Sequence, residues 1–391
     1  MALACLIAGE ARRAGRDFHA LIVDHQLRLE SSREARLAAS RAEALGARTR
    51  ILVWDEPASG QAAARMARHR LLADAARDLG AGTVFLAHTA DDVIETLLMR
   101  LSREQAGWRA LAAMGERSIS PAWPEGRGIR LARPLVRTSR AALRRFLSLR
   151  HLSWTEDPSN VNRAFERIRA RARAPSPDSE SGRRLLALND AALRADVQIR
   201  RLARDRISQG ARILPWGAVN LDPRVFARPS QEVALRAMEA LVMAVSGEQG
   251  VPGPRAVSGM LRALLGGSAF TVAGVLLTRD GVLGRDPGAA AGRADGEEGV
   301  GAQTVLPGTC TVFDGRFLVC AGSEALQVSA PGGDHQPAVP VPARLRPSLV
   351  AIRGESSTIM AGLDAVPGDG AAGVLIAERL DGLLNVSADG T

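Results

Sequence analysis

The strongest constraint on the fold lies in the first third of the chain, where short apolar β-type runs alternate with longer helical patterns. That alternation is the signature of βαβ units and a parallel sheet. FHALIV (18–23), TRILVW (49–54) and TVFLAH (83–88) read as strands. The Ala-rich segment 30–45 and the segment 61–79 between them read as helices. Open α/β sheets bind ligands at the carboxyl ends of their strands, so the polar cluster that follows the third strand stands out.

Further along, an irregular Pro/Gly stretch at 121–128 precedes a short basic helix, SRAALRRFLSLR (139–150), and a turn at 155–160. The Pro- and Ser-rich segment 174–182 reads as a linker. Beyond it, 183–207 and 231–245 carry apolar residues at helical spacing, and from about residue 269 the pattern changes to short strands and turns. The expected organisation is a catalytic-type α/β domain over 1–173, a small helical domain over 183–265 and a small α+β region over 266–391.

No apolar run reaches the length of a membrane-spanning helix, and the opening MALACLIAGEARRAGRD lacks the basic leader of a secretion signal. A cytoplasmic location and no membrane partner are expected. Cys5, Cys310 and Cys320 are too few and too widely spaced for a disulfide framework or paired metal ligands, so they are expected to be structural thiols. The formal charge of +9 suits a polyphosphate partner. The chain contains no lysine, so every basic side chain is arginine; codon bias accounts for this, although arginine's planar fork also binds phosphate bidentately.

Four clusters carry chemistry. His88-Thr89-Ala90-Asp91-Asp92-Val93-Ile94-Glu95 sits where a strand hands over to a helix. Ile94, Leu97, Leu98 and Leu101 form the expected buried stripe of that helix, leaving Asp92 and Glu95 on a neighbouring face beside His88. An imidazole and two or three carboxylates there suit gripping an ammonium group, organising a metal–phosphate or moving a proton; equally, the aspartates could simply cap the helix. Gln61, Arg65 and Arg68 share one helix face, as anion recognition or a solvated surface would require. Val23-Asp24-His25-Gln26-Leu27-Arg28 closes the first strand, where Asp24 could face a nucleotide or form a turn. The last cluster runs from Trp154 through Glu156-Asp157-Pro158-Ser159-Asn160 to Phe165, Arg167, Ile168 and Arg169: phosphate-contacting arginines or a capped basic helix.

Taken in order, VDHQLR, QAAARMARHR, LAHTADDVIETLLMRL and RPLVRTSRAALRRFLSLRHLSWTEDPSN resemble the tRNA(Ile)-lysidine synthetase family of PP-loop ATP pyrophosphatases over about 1–173. The later segments GGSAFTVAGVLLTRDGVL and FDGRF resemble it only loosely. The resemblance implies a Rossmann-like parallel sheet of the PP-loop type. It also implies adenylation by ATP of C2 of the wobble cytidine in tRNA(Ile) with a CAU anticodon, followed by displacement of AMP by the side-chain amine of free L-lysine. On this basis Arg68, His88, Asp92 and Glu95 bind lysine, with His88, Asp92 and Glu95 catalytic. Asp24, His25, Arg167 and Arg169 are assigned to ATP, and Arg144 and Arg145 of the basic helix to tRNA. Mg2+ rides on the pyrophosphate with no ligand identified, and a homodimer is left open. A tRNA thiolase is the nearest catalytic rival, but such enzymes use cysteine pairs that are missing here. NAD or argininosuccinate synthetase-like activity does not explain the DPSN segment.

Two features depart from the family. Its opening strand and Ser-Gly-Gly-x-Asp-Ser loop, which cradle pyrophosphate on backbone amides, have no counterpart; Met1 to Leu6 reads as the helix that follows that loop. Loss of an interior strand would leave ladder groups unpaired at about 1–3 kcal/mol each. The expectation is a start codon placed too far downstream of that of a longer, active protein, the alternative being a truncated tRNA-binding chain without catalysis. Second, Arg103 to Trp108 replaces a Gly-Ser-Gly-type loop, with Gly107 and Met114 keeping part of the pattern. The intact mass of the protein from its native host is therefore expected to exceed that of 391 residues; a mass equal to it would favour the binding-only alternative.

Overall fold

The computed structural model describes residues 1–26, 30–55, 60–103, 107–154, 166–292, 299–331, 341–355, 357–367 and 369–384, the side chains of Gln61, Glu166 and Ile168 excepted. The expected turn at 155–160, Phe165 and the Leu27-Arg28 end of the first motif lie outside these residues. The chain divides into two compact units, which meet in sequence at Gln198 and Ile199.

The first unit opens with α1 (Ala2–Ala14), closed by Gly15 in the left-handed region that a Cβ would disfavour. There follow β1 (His19–Asp24), α2 (Ser31–Glu43), β2 (Arg48–Val53), α3 (Gln61–Asp78), β3 (Thr83–Phe85) and α4 (Ala90–Leu101). After these come β4 (Arg117–Ile119), β5 (Arg130–Ala132), α5 (Arg140–Ser148), α6 (Glu166–Arg173) and α7 (Glu180–Gly210), the last continuing into the second unit. The expected strand–helix alternation is present. β1 and β2 pair in parallel, from His19 opposite Arg48 to Asp24 opposite Val53. β3 pairs in parallel with β5, but β4 runs antiparallel to β5, so this sheet is mixed rather than wholly parallel. The reason is local: the Pro/Gly stretch folds back on itself, with Ser120 N–H donating to the carbonyl of Ile129, and returns the chain as a hairpin. α3 packs against both β1 and β3 and buries Ala73 and Ala76.

The apolar stripe of α4 is rotated from the expected one. Ala90, Val93, Ile94 and Leu97 are buried, whereas Leu101, the last residue of the helix, is 41% exposed. Both stripes have the i, i+3, i+4, i+7 spacing, and packing selects the one nearer the amino end. Segment 174–179 is a capped turn rather than an open linker: the Ser179 hydroxyl accepts from Gly182 N–H and donates to the Ser176 carbonyl.

In the second unit β6 (Ala211–Leu214), β7 (Ala218–Leu221), α8 (Pro223–Phe226), α9 (Gln231–Ser246) and α10 (Pro254–Leu265) precede β8 (Phe270–Val272), β9 (Val275–Leu277) and β10 (Val282–Arg285). Among the described residues these strands form one antiparallel sheet in the order β6-β7-β10-β9-β8. The region expected to be purely helical thus also supplies a hairpin, because Pro215-Trp216-Gly217, with Gly217 at φ 83°, turns two apolar runs onto each other. α9 and α10 cover this sheet through Met238, Leu241, Met260 and Leu264. The remainder is built of α11 (Pro287–Ala291), β11 (Gln303–Val305), β12 (Cys310–Phe313), β13 (Phe317–Cys320), β14 (Leu326–Ser329), β15 (Ala351–Arg353), β16 (Thr358–Met360), β17 (Ala371–Val374) and α12 (Ile376–Leu384). The β12–β13 register sets Cys310 opposite Cys320, and the two form a disulfide, against the expectation of thiols; only Cys5 is a free cysteine.

A buried ionic network joins these parts. Arg316, fully enclosed, donates to the Asp314 carboxylate and to the carbonyls of Gly217 and Ser348. Arg285 donates to Glu248 at 2.8 Å and pairs with Asp314 at 3.2 Å. Asp314 therefore neutralises two buried guanidinium groups. Asp314→Ala is expected to cost the second unit about 3–5 kcal/mol, since it strands fully buried Arg316 and leaves Arg285 with Glu248 alone as a carboxylate partner among the described residues. Urea unfolding of the variant against the parent chain reads this; a loss under about 1 kcal/mol would mean the network is solvated.

Candidate functional site

The polar cluster after β3 is built on the first turn of α4. Thr89, extended at the N-cap, donates from its backbone N–H (2.8 Å) and hydroxyl (2.7 Å) to one oxygen of Asp92, whose own N–H returns a bond to the Thr89 hydroxyl. This capping box accounts for half of the Asp92 carboxylate. The other oxygen faces arginines from two later helices: Arg167 of α6, and Arg140 of α5 at 3.4 Å. One oxygen thus takes the helix-capping role, while the other is engaged by guanidinium groups. Asp91 accepts from the backbone N–H of Arg140 at 2.7 Å and so holds α5 at its first turn.

Glu95 lies one turn further along and is only 1% exposed. It accepts from Arg171 Nε at 2.7 Å, from Arg167 Nε at 3.1 Å and from Arg140 at 3.4 Å. Arg167 and Arg171, four residues apart on α6, present one face to the carboxylates. Burial raises the Asp92 carboxyl, but the Thr89 hydrogen bonds with Arg167 and Arg140 outweigh it and hold the group below its usual range. The hydrogen bond to Glu95 in turn raises Arg171.

A group of arginines and histidines lies within electrostatic reach of Arg167. Arg65 and Arg68 on α3 are destabilised as cations by burial first and then by their arginine neighbours, Arg167 among them. Among the described residues neither has a carboxylate partner. His88 is lowered to about 4 by burial, then by Arg133, Arg167 and Arg68, with Asp92 opposing. His69 is lowered to about 4 by burial and then by Arg65, Arg68 and Arg133. The Nδ1 atoms of His25, His69 and His88 are buried without hydrogen-bond partners. Orphaned imidazole nitrogens and uncompensated guanidinium groups are what an anionic ligand with hydroxyl groups would satisfy. No group of three His, Cys, Asp or Glu side chains among the described residues could hold a metal ion.

The structure brings Arg68, His88, Asp92, Glu95 and Arg167 together, as the motifs predict. Asp24 is near but turned inward: its carboxylate accepts from the Ser32 hydroxyl (2.6 Å) and Gln26 N–H (3.0 Å), the turn-forming role. His25 lies edge-on to Trp54 and is lowered by burial and then by Arg68. Arg144 and Arg145 are exposed on α5, and Arg169 is exposed on α6 away from the carboxylates. Sequence reasoning missed Thr89, Arg140, Arg171 and Arg133. Thr89 carried a visible signal, a Thr-x-x-Asp capping box. The arginines carried none, being indistinguishable from the surface arginines around them.

Residues 1–175 match the PP-loop domain family, whose α/β architecture is Rossmann-like. The chain is 34% identical to the tRNA(Ile)-lysidine synthase of Caulobacter vibrioides over 349 residues, covering 87% of this chain and 76% of that protein. The chain belongs to the tRNA(Ile)-lysidine synthase family. It is 37% identical to the synthase of Hyphomonas neptunium, over 64% of this chain and 67% of that one, and 35% identical to that of Brucella anthropi, over 80% and 69%. Membership makes the chain a ligase with an ATP-binding PP-loop domain. No described helix is long and apolar enough to cross a membrane.

The depressed histidines have a pH consequence. Unfolded histidine takes up a proton near pH 6.5, whereas folded His69 and His88 do so only near pH 4. Stability is thus fully present above 6.5 and is lost as pH falls toward about 4. Denaturation midpoints over this range are expected to fall with pH, and His69→Gln to flatten the slope; an unchanged slope would place the titration elsewhere.

Proposed function

We propose that this chain carries out lysidine synthesis on tRNA(Ile) with a CAU anticodon. The reading is supported by family membership and by one observation in particular: a buried carboxylate pair abutting an uncompensated arginine cluster at the carboxyl end of β3. An amino acid with two amines and a polyphosphate together need both poles. The wobble cytidine O2 attacks the α-phosphorus of ATP, pyrophosphate leaves, and C2 carries an adenylate. The lysine side-chain amine then adds at C2, AMP departs with the oxygen, and the amine loses its proton.

Asp92 and Glu95 grip an ammonium group of lysine, and the Thr89 hydrogen bonds together with Arg167 and Arg140 favour the anionic form of Asp92. His88, neutral near pH 7 because of its depressed value of about 4, offers its unpartnered Nδ1 to the amine's released proton. Arg65 and Arg68 receive anionic groups, with Arg167 and Arg169 as further phosphate contacts and His25 beside the adenosine. Asp24 acts through the turn that sets His25. Arg144 and Arg145 on the exposed face of α5 contact tRNA phosphates. Magnesium accompanies the pyrophosphate, but no described side-chain cluster fits it, and no step is routed through it. The reaction belongs in the cytoplasm, where tRNA is charged.

Asp92→Ala, assayed by incorporation of labelled lysine into tRNA, is expected to lose at least about 100-fold in rate. It removes the cap oxygen and the arginine-facing oxygen together, whereas Asp92→Asn keeps an acceptor for Thr89. An Asn variant as inactive as the Ala variant, with unchanged melting, assigns the loss to charge. Full activity in both would refute the site. A chain that binds tRNA with salt-dependent affinity and incorporates no lysine would instead be a tRNA-binding relative.

A further inference from the structure

The proposed use of Asp92 and Glu95 meets an obstacle in the contacts these carboxylates already make. Two carboxylates offer about eight acceptor directions. Asp92 accepts from Thr89 N–H, the Thr89 hydroxyl, Arg167 and Arg140, and Glu95 from Arg171, Arg140 and Arg167. Counting donors from the described residues, one direction, on the Glu95 oxygen facing Arg167, is left. With Asp91 beside them, three carboxylates already face three guanidinium groups, so a fourth cation finds its counter-charge taken and the site crowded. A lysine ammonium can enter only if a guanidinium leaves.

Arg167 is the one placed to leave. Arg171 donates to Glu95 at 2.7 Å, and Arg140 is anchored by its backbone N–H on Asp91. Arg167 bridges both carboxylates with its Nε and Nη2 and is 40% exposed along its side chain. Arg65 and Arg68 are near enough for Arg167 to disfavour their charge. In the free protein the carboxylates attract it and the arginines repel it. A polyanion seated on Arg65 and Arg68 turns that repulsion into attraction.

We propose that Arg167 is an exchangeable counter-ion. It occupies Asp92 and Glu95 in the free enzyme, crosses to the triphosphate when nucleotide binds beside Arg65 and Arg68, and so vacates the carboxylates for an ammonium group of lysine. The inference rests on the assignment of these two groups to lysine and ATP made above. One cation replaces another, so buried Glu95 is never left uncompensated, the situation that makes half of a buried pair so costly. Arg171 and Arg140 stay and hold the geometry. Lysine and polyphosphate then bind with positive coupling, and the coupling is reciprocal. Lysine binds poorly until nucleotide is present, which orders the reaction without a moving domain.

The test is calorimetric titration of L-lysine into the full chain, with and without inorganic triphosphate. On the parent chain, triphosphate is expected to tighten lysine binding by at least about fivefold. Arg167→Met keeps the apolar stem and removes the competing cation. It is expected to bind lysine without triphosphate as tightly as the parent does with it, and to gain nothing further from triphosphate. Arg167→Lys keeps the charge on a stem that cannot fork across two carboxylates, and falls between the two. Weaker lysine binding by a folded Met variant, or a Lys variant indistinguishable from the parent, overturns the exchange. If neither the parent with triphosphate nor either variant binds lysine, while tRNA is still modified, the assignment of Asp92 and Glu95 to lysine fails and the exchange falls with it.

Discussion

Two carboxylates one helical turn apart, both almost sealed from water, cannot remain ionised unless other parts of the chain neutralise them. The Thr89 cap and the positive end of α4 stabilise Asp92 locally. Nothing local can do the same for Glu95, which is reached only by arginines far along the sequence, Arg140 on α5 and Arg167 and Arg171 on α6. The approach of α6 to α4 is therefore an electrostatic arrangement as much as a packing one. The Asp91 contact to the backbone of Arg140 adds a second tie between α4 and α5.

The same arrangement divides the site into poles. On one side the carboxylates hold their charge. On the other, Arg65 and Arg68 stand without acidic partners among the described residues while His69 and His88 are driven neutral. A protein tolerates such a cationic cluster at some cost in stability, and clefts with fixed charge and restricted water recognise polyanions well. Arg167 belongs to both poles, which makes it the residue through which occupancy of one can be felt at the other.

The second unit solves a comparable problem for structural ends. Arg316 and Arg285 are buried around Asp314, and carbonyls of Gly217, Ser348 and Gly274 accept from further guanidinium nitrogens, Arg285 Nε being left without a partner. In a chain without lysine every such contact uses a planar fork of up to five donors, which can satisfy a carboxylate and two carbonyls at once where an ammonium group offers a single point charge. Arginine-only composition, whatever its genetic origin, favours this kind of multi-point tie.

Local physics decides what a sequence shows. The short apolar runs at 18–23, 49–54 and 83–88 and the helical spacing of the segments that follow them were enough to place β1, β2, β3, α2, α3 and α4 within a few residues, and the four ordered motifs were enough to indicate the family. His88, Asp92 and Glu95 were legible because adjacency on one strand end and one helix turn is a property of the backbone alone. Three things depended on contacts between distant segments. Packing chose between two equally spaced stripes on α4 and left Leu101 outside. Hairpin formation made the β3-β5-β4 sheet mixed, added β6 and β7 to a region of helical pattern, and set Cys310 against Cys320. Tertiary approach picked Arg140, Arg167 and Arg171 out of 51 basic residues as the partners of two carboxylates. An arginine on a half-exposed helix has the same local preferences whether it meets water or a buried anion, so only the folded structure could distinguish them.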